Sequence, residues 1–405
     1  MTEHKNTPEL RFPEFKEEWK FQKLGNLAQF SKGKSLSKKD LNINGNPCIL
    51  YGELYTKYGA ILNKVYSKTS TQNDSLVFSK RNQILIPSSG ETDIDIATAT
   101  AIDTDVKIAI GGDLNIITPI NSDGRFISLY INGKGKYNLA KYAQGKSVVH
   151  LYNSDIKKLN FYLPTNMVEQ KKIGNFFSKL DRQIELEEEK LELLEQQKRG
   201  YIQNFFSQEL RFKDANGNSY PDWSIKKIED ISKVNKGFTP NTKNDEYWDE
   251  LNENWLSIAG MTQKYLYKGN KGITKKGASK HAKVDKDTLI MSFKLTLGKL
   301  AIVKEPIYTN EAICHFVWKE SNVNTEYMYY YLNSINISTF GAQAVKGVTL
   351  NNDSINSIIV KLPVIQEQNK IAYFFNKLDK LIEKQSSKVE LLKQRKQGLL
   401  QKMFV

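Results

Sequence analysis

The segment 169–206 reads EQKKIGNFFSKLDRQIELEEEKLELLEQQKRGYIQNFF, and the chain returns to nearly the same text at 367–404, EQNKIAYFFNKLDKLIEKQSSKVELLKQRKQGLLQKMF. Aligned without a gap, about half of the positions are identical, so one element is used twice. In the first copy Ile173, Phe177, Leu180, Ile184, Leu191, Leu194, Tyr201 and Phe205 follow the alternating spacing of a heptad seam. Ile371, Phe375, Leu378, Ile382, Val389, Leu392, Leu399 and Met403 hold the matching places in the second copy. Polar residues interrupt both seams at the same steps, Glu187 and Lys198 in one and Gln385 and Lys396 in the other. Such breaks weaken a helix pair but penalise wrong registers, because a shifted pairing buries them against apolar side chains. Neither copy contains proline, so each predicts one long helix that needs a partner.

The duplication extends beyond the helices. Leu10-Arg11-Phe12, Trp19, Lys23-Leu24 and Lys32-Gly33 recur as Leu210-Arg211-Phe212, Trp223, Lys227-Ile228 and Lys236-Gly237. Both segments also close alike, with IKKLNFYLP and INSIIVKLP, where alternating apolar residues predict a strand that Pro164 or Pro363 ends. Between these landmarks 83–87 (QILIP), 288–291 (TLIM), 114–118 (LNIIT) and 314–318 (CHFVW) predict buried strands, and 125–131 and 326–332 short helices. Phe205-Phe206 runs through Ser207-Gln208 into Glu209-Leu210-Arg211-Phe212, whereas Met403-Phe404 stands at the end of the chain and Glu9-Leu10-Arg11-Phe12 near its start. Joining the termini would recreate the central junction. The expected fold class is therefore α+β, with two homologous globular domains, 1–163 and 209–362, separated by a pair of long antiparallel coiled-coil helices at 164–208 and 363–405 in pseudo-two-fold, cyclic symmetry. A chain of 405 residues suits two cores and a connector better than one core.

The formal charge of +14 and pI near 9.3 point to an anionic partner. The excess is uneven: 1–160 holds 22 Lys+Arg against 16 Asp+Glu and 210–366 holds 21 against 16, while the helix 169–206 holds 7 against 8 and 367–405 holds 9 against 4. The globular segments are thus basic, and the first helix is not built to follow phosphate along its length. At about 1.5 Å per residue each helix spans roughly 57 Å, on the order of 17 base pairs at about 3.4 Å each. No apolar run reaches the length of a membrane span, and the start, MTEHKNTPELRF, lacks an apolar signal core, so a cytoplasmic location without a membrane is expected. Cys48 and Cys314, with His4, His150, His281 and His315, show no zinc-like spacing.

Motifs for chemistry are wanting. Methyl transfer to an amine would need an Asn/Asp/Ser-Pro-Pro-aromatic loop and a glycine-rich turn for S-adenosylmethionine. The nearest string, Asn46-Pro47-Cys48-Ile49, lacks the second proline and the aromatic and reads as a turn. Two near-misses to a phosphate loop, AQFSKGKS at 28–35 and AKYAQGKS at 140–147, carry Ala where the first Gly is required. Pro221-Asp222 beside a Lys pair hints at a nuclease core but matches the turn that opens the other domain. The chain is expected to be non-catalytic, with no metal and no cofactor of its own.

Two variable basic domains, each followed by a helix opening with Pro-x3-4-Glu-Gln-x2-Ile-x2-Phe-Phe-x-Lys-Leu-Asp, resemble the specificity subunit of type I DNA restriction-modification systems. Pro164, Glu169, Gln170, Ile173, Phe176, Phe177, Lys179, Leu180 and Asp181 carry the likeness, and so do Pro363, Glu367, Gln368, Ile371, Phe374, Phe375, Lys377, Leu378 and Asp379. The resemblance implies two target-recognition domains, each reading one half of a split, asymmetric site on double-stranded DNA, with the helices setting the unread gap. It further implies two modification subunits that carry S-adenosylmethionine and methylate adenine N6, and restriction subunits that use ATP and Mg.

Base edges supply specificity and phosphates fix register, so polar, basic and aromatic loop residues are the candidates for DNA contact. In the first domain they are Lys32, Lys34, Lys38, Tyr51, Glu53, Tyr55, Arg81, Ser88 and Ser89. In the second they are Lys236, Thr239, Lys264, Tyr265, Lys275, Lys276, Lys280, His281 and Lys294, most within a stretch where Lys interleaves with Tyr and Gly. Two rival readings are a non-catalytic scaffold whose helix pair joins two protein-binding domains, and an unrecognised nuclease.

Overall fold

The computed structural model describes residues 6–405 apart from 35, 63, 73, 74, 345 and 346. His4 and Ser35, the latter the end of the first near-miss phosphate loop, lie outside the described residues. The chain divides into two units, Met1–Lys190 with Gln385–Val405, and Leu191–Lys384. The division falls within the two long helices, Met167–Phe206 and Ile365–Lys402.

Each unit is built on an antiparallel sheet. In the first the order is Ala28–Lys32, Leu114–Pro119, Ile84–Pro87 and Thr100–Ala101. In the second it is Ser232–Lys236, Ile313–Trp318, Leu289–Ser292 and Leu300–Val303, with Tyr265–Leu266 added in parallel. A parallel bridge between Ile61 and Ala101 stands at the corresponding place in the first unit. Ile84–Pro87 and Leu289–Ser292 are buried along their whole length, as the apolar runs ILIP and LIM require of strands covered on both faces, with the buried Ser292 hydroxyl satisfied by hydrogen bonds. A helix follows the longest strand in each unit, Gly124–Asn132 capped by the Asp123 side chain and Thr325–Ser334 capped by Asn324. The opening strand pairs antiparallel with the closing one, Lys20–Lys23 with Asn160–Leu163 and Ser224–Lys227 with Ile359–Leu362.

The stretch Asn46-Pro47-Cys48-Ile49, expected as a turn, is instead the strand Asn46–Ile49, antiparallel to Ser67–Thr69 and parallel to Ala109–Ile110. Cys48 and Ile49 are wholly buried, and Pro47 precedes the point where the second neighbour joins, so its missing N–H leaves one ladder untouched. Trp255–Leu256, parallel to Tyr308–Thr309, is its counterpart in the second unit.

The helices run antiparallel within each unit. In the first, Phe177 meets Phe404 at 6.3 Å, Asp181 meets Lys396 at 2.5 Å, and the Gln385 amide donates to Glu187 at 2.7 Å. In the second, Phe205 meets Phe375 at 5.7 Å and Lys198 meets Asp379 at 2.6 Å. The polar breaks of the seam are therefore answered across the pair, Lys by the Asp of the opposite helix and Glu187 by Gln385. Ile173, Phe177, Leu180, Ile184, Ile371, Phe375 and Val389 are buried, while Leu191, Leu194, Leu378, Ile382 and Leu392 are half-buried.

Cyclic order is visible in single hydrogen bonds. The Leu210 N–H donates to the Asn204 carbonyl across the covalent junction, at 3.0 Å, and the Leu10 N–H donates to the equivalent Lys402 carbonyl across the chain ends, at 2.9 Å. Phe206 sits among Trp223, Tyr327, Tyr331 and Phe375. Phe404, at the other end, sits among the matching Trp19, Phe126, Tyr130 and Phe177.

Candidate nucleic-acid interface

The repeated Lys-Gly pair marks where a strand ends and an exposed edge begins. A Cβ on Gly33 would lie 2.0 Å from the Gly111 carbonyl oxygen, and one on Gly237 2.1 Å from that of Thr309. Only glycine allows this approach of two backbones. Lys32 and Lys236, one position earlier, are exposed at that edge.

Around Lys236 the second unit gathers basic and aromatic side chains from several segments. Lys236 Nζ lies 4.6 Å and Lys294 Nζ 5.8 Å from the Phe293 ring centre. His281 stacks on Phe238 with centroids 3.6 Å apart, Phe238 meets Tyr308 edge-on, and Lys283 Nζ lies 5.6 Å from the Tyr308 ring. Thr239 donates its hydroxyl hydrogen to Glu311 and accepts from the Asn310 amide. Lys275 and Lys280 are exposed nearby in sequence, whereas Lys276 pairs with Glu246. Lys283 and the aromatic supports were not picked out from the sequence. The string KGF at 236–238 was the available signal, since an aromatic after a Lys-Gly turn at a strand end can hold cations above its face.

The first unit carries a sparser version. Lys32 Nζ lies 5.7 Å from the Tyr152 ring, and Lys34 and Lys38 are exposed. Lys38 and the partly exposed Tyr51 line a cleft of about 620 Å³ with Leu36, Thr56 and Asp113. The Ser89 hydroxyl is 3.2 Å from His150 Nδ1. Tyr55 is half-buried, and burial, with smaller help from Tyr51, Glu91 and Asp95, raises its phenol pKa.

Besides Lys276 and Thr239, five further candidates are already engaged by the protein itself or buried in it. Glu53 is buried, accepting from the Leu50 N–H, from Lys57 and from the Ser67 hydroxyl, so it caps a short helix. Ser88 is only 4 % exposed and presents no surface to a ligand. Arg81 grips Asp105 through two 2.9 Å bonds and Asp103 through one of 2.6 Å. Lys264 is held by Glu326 at 2.7 Å and by the Tyr330 hydroxyl, with Asp379 at 3.7 Å; burial lowers its ammonium pKa against the pull of those acids. The Tyr265 hydroxyl donates to Glu326 at 2.9 Å, and burial followed by that bond pushes its pKa far up. A string rich in Lys and Tyr looks the same whether its side chains face a groove or a carboxylate on a later helix.

The paired acid and amide that open each long helix do a structural task. Glu169 accepts two bonds from Arg11, at 2.7 and 2.8 Å, and one from the Trp19 indole at 3.2 Å. Glu367 does the same for Arg211, at 3.1 and 2.8 Å, and for Trp223 at 3.0 Å. Gln170 accepts from the Asp123 N–H and donates to the Pro164 carbonyl, and Gln368 bridges the Asn324 N–H and the Pro363 carbonyl in the same way. These bonds hold the start of each domain and its small helix to the long helix.

Two units of one plan thus carry an exposed Lys beside an aromatic ring at the same strand end, and each unit has its own antiparallel helix segments. The model of the type I restriction modification DNA specificity domain matches residues 16–196 and again 220–392, and the chain belongs to that family. The MjaIX specificity subunit of Methanocaldococcus jannaschii is 29% identical over 209 residues, 49% of this chain and 48% of that protein, so the match spans about half of that relative. The MjaVIII specificity subunit of the same organism is 22% identical over 96% of this chain and 93% of its own length. Among solved structures, a type I S subunit from M. genitalium matches with TM-score 0.61 at 16% identity, covering 98% of this chain and 99% of that one. A chain from a study of type I R-M complex assembly and conformational transition matches with TM-score 0.56 at 11% identity, over 94% of this chain and 96% of that one. Specificity subunits of type I systems are non-catalytic, which leaves no place for the nuclease reading. Among the described residues no helix is long and apolar enough to cross a membrane.

Proposed function

We propose that each unit reads one half of a split, asymmetric site on double-stranded DNA, with 1–163 and 209–362 as the exchangeable recognition segments and 164–208 and 363–405 as helical spacers that set the unread gap. Two modification subunits dock on this chain, bring S-adenosylmethionine and methylate adenine N6 in each half-site. Restriction subunits with ATP and Mg complete the endonuclease, and the complex works in the cytoplasm. The observation that carries this reading is the recurrence of an exposed Lys at the same strand end in both units, Lys32 and Lys236, each beside an aromatic ring. The side chains around the two differ, which suits two unlike half-sites. In the first unit Lys32, Lys34, Lys38 and Tyr51 stand open to DNA, and in the second Lys236, Lys275, Lys280, His281 and Lys294, whereas Ser89 and Thr239 are half-buried and bonded to His150 and Glu311.

The test is reconstitution of this chain with its modification subunit, followed by mapping of methylated adenines. Exchange of 210–355 for the matching segment of a relative should replace one half-site and leave the other. Lys236→Ala should weaken binding to all sequences alike and lower the salt-dependence slope by about one. Methylation indifferent to DNA sequence would instead favour a scaffold that joins two protein-binding domains.

A further inference from the structure

Three large apolar side chains among the described residues are nine-tenths or more exposed: Ile43 at 90%, Leu251 at 96% and Leu295 at 94%. Single exposed apolar residues need no special cause, and two of the three have none. Ile43 lies between Asn42 and Asn44, and Leu251 follows Asp249 and Glu250, whose charge repels phosphate. Leu295 differs in setting. It follows Lys294, which shares the Phe293 ring with Lys236, the strand-end lysine of the proposed interface.

The loop that carries Leu295 is held rather than loose. The wholly buried Ser292 hydroxyl donates to the Thr296 carbonyl and accepts from the Lys299 N–H at 3.0 Å, and the Gly298 N–H donates to the Ser292 carbonyl at 2.9 Å. Phe293 is buried beneath, and its N–H donates to the Ala312 carbonyl at 3.0 Å. At the tip Leu295 takes φ +64°, a left-handed conformation that a branched apolar residue adopts at an energetic cost. Asparagine or glycine would fit that backbone better, and either would keep the apolar group out of water.

We propose that Leu295 is a wedge that enters a groove of the DNA and unstacks one base step within the half-site read by the second unit, while Lys236 and Lys294 hold the flanking phosphates. Apolar wedges of this kind partly unstack a base step and kink the duplex, and the sequence dependence of that deformation becomes specificity without a base contact. The corresponding connection after the strand Ile84–Pro87, 88–99, holds the strand Ser89–Gly90 and the helix Asp93–Ile96 and exposes no large apolar side chain, so the wedge acts in one half-site only. This inference rests on the DNA-reading function proposed above.

The experiment uses the full chain in complex with its modification subunits and duplexes bearing the mapped methylation site, with 2-aminopurine placed in turn at each position of both half-sites except the methylated adenines and their immediate neighbours, because methyltransferases flip their target base out of the stack. Binding of the unaltered complex is expected to raise fluorescence at least severalfold at one step of the second unit's half-site and nowhere in the other. Leu295→Ala should abolish that rise and weaken specific binding by about tenfold, roughly the loss of one good wedge contact. Lys294→Ala should weaken binding and retain the rise. Leu295→Asn, which suits the left-handed backbone, should fold at least as well as the unaltered chain while also losing the rise, so a folding defect cannot mimic the result. Unchanged fluorescence at every position, with site-specific methylation intact, overturns the wedge and leaves the DNA-reading function standing. Loss of subunit assembly in Leu295→Ala overturns it too, since Leu295 would then be a protein contact. Failure of the unaltered complex to methylate any defined site would strike at the DNA-reading function itself.

Discussion

Replacing Glu367 by Gln tests whether the first residue of the repeated helix motif holds its domain together. The carboxylate is wholly buried; one oxygen accepts from Arg211 Nη2 at 2.8 Å and Trp223 Nε1 at 3.0 Å, and the other from Arg211 Nε at 3.1 Å. The same bond is the main reason the Arg211 guanidinium pKa is raised. Glutamine keeps one acceptor oxygen and turns an NH2 towards a donor, and it leaves Arg211 without its counter-charge. Breaking such a buried pair costs about 3–5 kcal/mol. Arg211 is 20% exposed, so water relieves part of the loss and the lower end, about 3 kcal/mol, is the expected figure. For a unit of this size that corresponds to a fall in melting temperature of roughly 6–12 °C. Urea unfolding with hydrogen exchange read by segment is the assay. Protection should drop within 211–384 and hold within 10–163, and Glu169→Gln should show the reverse. Arg211→Met combined with Glu367→Gln should be more stable than Glu367→Gln alone, because no unpaired charge remains. A loss below about 1 kcal/mol, or strict additivity in that double-mutant cycle, would refute the reasoning.

Two further outcomes follow from buried charge. Burial pushes the His315 pKa down to about 4 from an ordinary 6.5, so between those values the unfolded chain binds a proton that the folded unit refuses. The contribution is complete above about pH 6.5 and is lost as pH falls towards 4, by about 3 kcal/mol at ~1.4 kcal/mol per pH unit. Urea midpoints of the second unit between pH 7 and 4.5 should show that slope, and His315→Gln should flatten it. Across the helices of the first unit, burial holds the Asp181 carboxyl above its ordinary pKa in spite of Lys396, so Asp181→Asn relieves part of that penalty and should cost only about 1–2 kcal/mol by stranding Lys396, a residue only 20% exposed. Asp181→Lys with Lys396→Asp should recover most of that loss in thermal melts, and a swap no better than the single change would show that the pair does not set register.

Much of the fold was legible in the chain because duplication offered two readings of every landmark. The strands around 83–87, 114–118, 288–291 and 314–318 stand where apolar runs predicted them, and both short helices lie over the expected residues. The Asn46–Ile49 strand was hidden because a proline beside an asparagine also spells a turn, and only the two neighbouring strands decide between them. The contact candidates were harder. Lys264 and Lys236 look alike in sequence, yet one lies under Glu326 and Asp379 and the other rests exposed on Phe293. Their partners lie dozens of residues away, and nothing local announces them.

By itself the sequence determined that two like domains alternate with two like helices in cyclic order, since apolar periodicity and repetition are properties of the linear chain. Tertiary structure decided what each repeated letter does. Glu169 and Glu367 became anchors for an arginine and an indole, and Lys198 and Lys396 became partners of the aspartate on the opposite helix. The physical reason is that a buried charge must find its counter-charge in space, and the distance along the chain to that partner carries no signal of its own.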